Sequence, residues 1–275
     1  MNDQIPFLNA DKNGPGHFRA PDLRWTGETL LQVEDVRFRL SYDTNELLAA
    51  DAGAADFLLG KPRHMVERAV DIARRRRIDK MFEMGILHGG SVALYDLVFR
   101  PSRIVAIDHS PNPVPALAAY IESRGKADAI HAHYGIDQSN REAMETLLVN
   151  EFPRHDIDLV IDDASHLYQQ TRAAFNICFP YLAPGGLYVI EDWAWAHWTG
   201  DFWQGADSPF AGQTALSNLL IELFMLSASR SDLIDNLFID HNMVVVRRGE
   251  GEIPPGPFDL GEHYLLRGKT FDPAL

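Results

Sequence analysis

Two acidic runs hold the residue types best suited to chemistry. Ile157-Asp158-Leu159-Val160-Ile161-Asp162-Asp163-Ala164-Ser165-His166 and Leu187-Tyr188-Val189-Ile190-Glu191-Asp192-Trp193 are apolar stretches that stop at carboxylates. A parallel α/β sheet binds its ligands at the carboxyl ends of its strands, so two such ends would pool Asp162, Asp163, Glu191 and Asp192 on one rim. Oxygen donors gathered in this way suit a hard divalent cation. His166 follows Asp163 in the same short segment and adds an imidazole, the side chain most apt to take a proton near neutral pH. A cation that orients two substrate oxygens, beside a base, can turn a neutral alcohol into a nucleophile. The competing reading is plainer: carboxylates at strand ends also open solvated loops, and His166 could cap the next helix.

The elements that would position these residues are legible from Ile78 onward. Met81-Phe82-Glu83-Met84-Gly85 reads as a buried strand entering a glycine turn. After Gly89-Gly90-Ser91, the spacing of Leu94, Leu97 and Val98 predicts a helix with one apolar side. Ile104 to Asp108 is the next strand, Val114 to Ser123 a helix, Ala129 to Tyr134 a third strand and Arg141 to Val149 another helix. The two acidic strands follow, separated by a helix from Gln169 to Leu182 that ends before Pro184-Gly185-Gly186. A helix near Leu216 to Leu226 precedes Leu237-Phe238-Ile239-Asp240 and Met243-Val244-Val245-Val246, which flank His241-Asn242 as a terminal hairpin. Strands alternating with helices imply an α/β, doubly wound, mostly parallel, seven-stranded Rossmann-like sheet with an antiparallel hairpin at its edge.

The glycine turn Glu83-Met84-Gly85-Ile86-Leu87-His88-Gly89-Gly90-Ser91 approaches the G-x-G-x-x-G pattern without matching it. The missing second glycine is the one that admits a pyrophosphate, and Leu87 stands in its place, so a nucleoside lacking a pyrophosphate fits better than a dinucleotide. Asp108 follows at about the twenty-residue interval at which an acidic side chain can meet a ribose hydroxyl. Glycines before a helix also occur for steric reasons alone.

These residues resemble the class I S-adenosylmethionine-dependent methyltransferases over roughly Ile78 to Arg248, with the glycine turn, Asp108, Asp163 and Pro184-Gly185-Gly186 in family order. The resemblance implies that Glu83, Gly85 and Ser91 line the methionine part of the cofactor, that Asp108 holds the ribose, and that Gly135-Ile136-Asp137-Gln138-Ser139 lies beside the adenine. Asp137 and Gln138 are the side chains of interest in that last run. A narrower resemblance is to the metal-dependent macrolide-sugar O-methyltransferases of antibiotic pathways. It rests on Asp162-Asp163-Ala164-Ser165-His166, Gly185 to Asp192 and Gly135 to Ser139, with Ala164 replacing a glycine and Ile136 interrupting the third run. It implies Mg2+ held by Asp163, Glu191 and Asp192, His166 as general base, and a small hydroxylated natural product as acceptor; Asp162 then reads as supporting structure. Methyl transfer from a sulfonium to a hydroxyl is an in-line displacement that needs the hydroxyl deprotonated, which is the task the acidic ends are equipped for. The rival enzyme reading is an NAD-dependent oxidoreductase, disfavoured by the broken glycine pattern. A non-catalytic ligand-binding or scaffold protein of the same fold is the alternative from another class.

Other residues carry competing readings. His131 and His133 alternate on a strand and share a face, a zinc-like arrangement that packing explains equally well. His88 and His109 flank the expected nucleoside, and His197 is a second candidate base. Trp193, Trp195, Trp198 and Trp203 are four of the five tryptophans in the chain, placed directly after an acidic strand end. Clustered aromatics there could wall an acceptor, form a lid, or make an oligomer contact.

The 275 residues suit one α/β domain with extensions: an arm and accessory segment over 1–60, the main domain over 61–250 and a tail over 251–275. A formal charge of -14 argues against nucleic acid and anionic membranes as partners. Arg74-Arg75-Arg76-Arg77 closes a helix beginning near Pro62, where cations complement the dipole. The single Cys178 fits a reducing compartment and a buried thiol, and the absence of a basic-then-apolar leader favours the cytoplasm. Residues 1 to about 25 read as an irregular arm, and the apolar spacing from Glu28 to Gly60 allows short helices.

Overall fold

The computed structural model describes Ile5, residues 20–43, 46–47 and 56–264. Two compact units divide the chain, Met1–Gly135 and Ile136–Leu275. The first opens on an antiparallel meander of β1 (Leu23–Thr26), β2 (Leu30–Val33) and β3 (Val36–Leu40), to which β4 (Phe57–Leu59) adds in parallel beside β3. The apolar spacing from Glu28 to Gly60 allowed short helices; among the described residues there, Glu46 and Leu47 are helical and the rest are strand, turn or irregular. Leu31 and Val33, then Phe38 and Leu40, are buried at every second position, the period of a strand with one apolar face. Most of the expected arm lies outside the described residues, and its end, Leu23 to Thr26, is β1.

The main domain begins with α1 (Arg63–Arg75), which buries Met65, Val66, Ala69 and Ile72 and carries Arg74 and Arg75 in its last turn, as expected. It continues as β5 (Lys80–Met84), α2 (Gly90–Phe99), β6 (Arg103–Asp108), α3 (Pro115–Ser123) and β7 (Ile130–Tyr134), with β5, β6 and β7 paired in parallel. Met81 to Met84 and Ile104 to Ile107 are continuously buried, the signature of parallel strands covered on both faces. The helix α2 is buried from Gly90 through Val98, not on one side only.

In the second unit, α4 (Arg141–Glu151) starts where the Asn140 side chain accepts the Ala143 amide at 3.2 Å, a side-chain N-cap. It is followed by β8 (Ile157–Asp162), α5 (Tyr168–Cys178), β9 (Leu182–Glu191), α6 (Asp201–Gln204), α7 (Ser217–Ser229), β10 (Ile234–Ile239) and β11 (Met243–Arg248). The helix expected to reach Leu182 stops at Cys178 and passes through a 3-10 turn at Phe179–Tyr181. Pro184-Gly185-Gly186 is therefore a bulge inside β9: Ile157 pairs with Leu182, but Leu159 already pairs with Leu187. The hairpin is present and begins earlier than the sequence indicates, with β10 antiparallel to β11 and β11 antiparallel to β9. Cys178 is buried.

The strand order is β10-β11-β9-β8-β5-β6-β7, running outward both ways from β5 and β8 as in a doubly wound sheet. Within the second unit a polar clamp fixes the chain beyond β11. Arg172 on α5 donates to Glu222 on α7 at 3.0 Å and to Asp259 at 2.8 Å, and the Leu260 amide donates to Asn176 Oδ1 at 2.9 Å. No described helix is long and apolar enough to cross a membrane.

Candidate active site

In the first unit the glycine turn joins β5 to α2. Glu83, at the end of β5, is fully buried, and Ser91 is buried in the first turn of α2. Gly85 adopts φ 100, open to glycine alone without strain, and its amide bonds to the Ile107 carbonyl at 2.9 Å. The amides of Ile86 and Leu87 both converge on Asp108 Oδ2 at 2.9 Å, and the Ser110 amide donates to Oδ1 at 2.8 Å. Asp108 thus shapes the turn through one oxygen, while Oδ1, with a single amide donor recorded, has lone-pair capacity for a hydroxyl. A Cβ on Gly90 would lie 2.3 Å from the Leu58 carbonyl oxygen, so β4 packs directly on the start of α2. His88 Nε2 lies 2.6 Å from the Leu47 carbonyl, and His109 is exposed. His131 Nδ1 is 2.9 Å from Arg103 Nη1.

In the second unit the acidic ends of β8 and β9 meet. Asp163, His166 and Asp192 each present a donor atom, all within 4.8 Å of one another. His166 Nε2 stands 3.9 Å from Asp163 Oδ1, and Nδ1 stands 3.3 Å from the Glu191 carbonyl oxygen. The Glu191 carbonyl and the Asp163 carboxylate both only accept, so each ring nitrogen faces an acceptor, Nδ1 the nearer one. Glu191 is not part of the trio. It is buried as the last residue of β9, opposite Met243, and what it offers His166 is its backbone oxygen. His166 and Asp192 both adopt left-handed backbone, φ 56 and φ 50. The Asp192 amide donates to the Asn242 carbonyl at 2.7 Å, which ties it to the hairpin turn.

Beneath the trio lies Asp162. Burial raises its carboxyl to about 7, Asp163 adding to the rise, although His166 and hydrogen bonds from Gln138 and Tyr188 oppose it. Gln138, itself buried, donates to Asp162 Oδ1 at 3.1 Å and accepts the Ser165 amide at 3.0 Å. Asp162 and Gln138 therefore brace the Asp163 to His166 segment from below, a role for Gln138 that the sequence did not reveal. Asp137 accepts the Ser139 amide at 2.8 Å and hydroxyl at 2.7 Å and closes the turn ahead of α4.

The tryptophan segment is a packed cluster more than an open wall. Trp195 and Phe210 are buried with ring centres 4.6 Å apart, and Trp203 lies 5.1 Å from Phe210 and 4.9 Å from Trp198. Two indoles are committed to backbone: Trp193 donates to Asp240 O and Trp195 to His166 O, both at 2.8 Å. His197 is exposed, edge-on to Trp193 at 6.2 Å, and outside the trio.

Two carboxylates and an imidazole are donors that a divalent cation can share. A magnesium ion, which keeps several waters and takes only one or two protein carboxylates, is compatible with Asp163 and Asp192.

Comparison with known proteins agrees with this architecture. Residues 82–193, from β5 to just past β9, match the sequence model of the family described as a methyltransferase domain. The demethylmacrocin O-methyltransferase of Streptomyces fradiae is 29% identical over 192 residues, 62% of this chain and 44% of the relative. The 8-demethyl-8-alpha-L-rhamnosyl tetracenomycin-C 2'-O-methyltransferase of Streptomyces olivaceus is 33% identical over 118 residues, 43% of this chain and 27% of the relative. The chain thus spans less than half the length of these curated relatives. Among solved structures, the SAH-bound methyltransferase PaMTH1 of Podospora anserina shares the fold, with a TM-score of 0.51 at 17% identity over 69% of this chain and 80% of that one. Residues 82–193 thus resemble a methyltransferase domain, and the strand order is that of a doubly wound sheet.

Proposed function

We propose that this chain is an S-adenosylmethionine- and Mg2+-dependent O-methyltransferase whose acceptor is a hydroxyl of a small natural product, on a sugar ring with adjacent oxygens. The observation that carries the reading is the convergence of Asp163, His166 and Asp192 at the ends of β8 and β9 in a methyltransferase sheet. Both curated relatives are O-methyltransferases by name, one of them acting on a rhamnosyl compound, which supports a sugar hydroxyl.

The residues divide the work. Glu83, Gly85 and Ser91 line the methionine end of the cofactor, Asp108 accepts from the ribose through Oδ1, and Asp137 and Gln138 lie toward the adenine. Asp163, Glu191 and Asp192 hold the cation, and the Glu191 carbonyl also fixes the His166 ring. When bound, the cation would orient the acceptor oxygens and make the hydroxyl more acidic. In the tautomer that donates from Nδ1 to the nearer acceptor, Glu191 O, the Nε2 lone pair of His166 receives the hydroxyl proton.

Thermal unfolding with S-adenosylhomocysteine, NAD and Mg2+, alone and combined, tests the reading. A ligand at one hundred times its dissociation constant stabilises by about 2.7 kcal/mol, so the homocysteine nucleoside should raise Tm and NAD should not. Stabilisation by NAD alone would refute it. Asp163→Asn should abolish metal-dependent turnover while S-adenosylhomocysteine binding by calorimetry persists. His166→Ala should lower kcat with acceptor KM little changed.

A further inference from the structure

The geometry points to Trp195 as the positioning residue of His166. This inference rests on the reading of His166 as the proton acceptor and adds a residue from the tryptophan segment to the machinery. His166 sits in left-handed backbone, φ 56, a region costly for any residue with a Cβ, so neighbouring structure must hold it there. The flanking residues are fixed locally: the Ser165 amide donates to Gln138 Oε1 at 3.0 Å, and the Leu167 amide donates to Ser165 Oγ at 3.2 Å. The His166 carbonyl is fixed from a distance by the indole N–H of Trp195, twenty-nine positions along the chain, at 2.8 Å.

Trp195 is itself rigid. It is 3% exposed, lies tilted against the Phe210 ring with centres 4.6 Å apart, and opens the 3-10 turn Trp195–His197. The Gln204 amide ties that turn down by donating to the carbonyls of Trp195 at 3.2 Å and Trp198 at 2.9 Å. The imidazole is therefore held between two fixed points, Trp195 on its backbone and the Glu191 carbonyl on Nδ1 at 3.3 Å. With both in place, Nε2 faces Asp163 at 3.9 Å. Releasing the carbonyl lets residue 166 relax toward ordinary backbone, which turns the ring away from Asp163. A base displaced by about 1 Å loses on the order of 100-fold in rate even when every reacting group is present.

The bland alternative is that a buried indole has merely found an acceptor, as buried indoles usually do. Trp195→Phe separates the two, since it keeps a ring against Phe210 and removes the donor. The expected result is a fall in kcat of about 10- to 100-fold with KM for the cofactor and calorimetric Mg2+ affinity within a factor of about two of the parent, and a crystal structure in which residue 166 has left φ near 56. Site-specific incorporation of benzothienylalanine at 195, a tryptophan shape without the N–H, should reproduce the kinetic loss if Trp195→Phe folds poorly. Unchanged kcat in the benzothienyl protein, or a His166 that superposes on the parent in the variant crystal, overturns the proposal. The crystal structure judges the positioning claim even if the parent transfers no methyl group, an outcome that would instead defeat the functional reading.

Discussion

Replacing Gly90 by alanine sets a local preference against a packing constraint. Gly90 opens α2, and its backbone lies outside the left-handed region, so alanine can adopt the same conformation. On propensity alone the substitution favours the helix by about 1 kcal/mol. The added Cβ, however, would stand 2.3 Å from the Leu58 carbonyl oxygen, 3.2 Å from the Leu58 carbonyl carbon and 3.3 Å from Leu59 Cδ1. Carbon and carbonyl oxygen approach to about 3.3 Å at closest, so α2 and β4 must part by about 1 Å. Overpacking of this kind costs about 1–3 kcal/mol, and the atom that must yield is backbone rather than a flexible side chain. The packing term wins, and Gly90→Ala should lower the unfolding free energy in urea by up to about 2 kcal/mol. Because Ser91 shares that first turn, S-adenosylhomocysteine affinity should fall as well. Gly125→Ala is the control: Gly125 has φ 62 with nothing within 4 Å, so its cost is conformational, about 1 kcal/mol, and leaves the cofactor turn untouched. A Gly90→Ala protein as stable as its parent, with unaltered nucleoside affinity, would refute the packing argument.

Two further outcomes follow from the second unit. The Arg172 guanidinium holds the Asp259 carboxyl below its ordinary value of 3.8, so the stabilisation is complete above that value and is lost as pH falls through the lower folded-state value; urea midpoints measured from pH 5 to pH 3 should decline less steeply in Asp259→Asn, and equal slopes would discount the clamp. Asp192→Asn should weaken Mg2+ binding about 10-fold or more, read by calorimetry, because Asp192 belongs to the trio; unchanged affinity would remove it as a ligand.

The sheet was legible because its central strands are unbroken apolar runs closed by Asp or by glycine turns, a pattern that local physics imposes. From Met81 to Asp108 and from Ile157 to Asp192 the expected strands stand within a few residues of the observed ones. The misses have identifiable causes. Over residues 30–40 the two-residue period was present, Gln32, Arg37 and Arg39 alternating with Leu31, Val33, Phe38 and Leu40, but runs of four and five residues are too short for the period alone to separate strand from helix. The bulge in β9 was hidden because Pro184-Gly185-Gly186 reads as a turn whether or not a strand continues through it. The tryptophan segment gave a strong signal of aromatic content and no signal of partner. That Trp195 reaches His166 and Trp193 reaches Asp240 depends on tertiary placement.

The pairing of Glu191 with Asp192 shows most directly where spacing and geometry diverge. Two carboxylates in succession look like a doubled ligand, yet neighbours on a strand point to opposite faces, so a regular β9 could aim only one of them at the site. Glu191 keeps the strand geometry, pairs with Met243 and is buried. Asp192 leaves the pleat at φ 50, and its amide is captured by the Asn242 carbonyl of the hairpin turn. The same device appears at the end of β8, where His166 at φ 56 is captured through its carbonyl by Trp195. Each left-handed residue costs about 1–2 kcal/mol, so neither conformation would persist without its distant partner. The terminal hairpin and the tryptophan segment are thus parts of the acidic site, for they hold the two backbone turns that bring Asp163, His166 and Asp192 together.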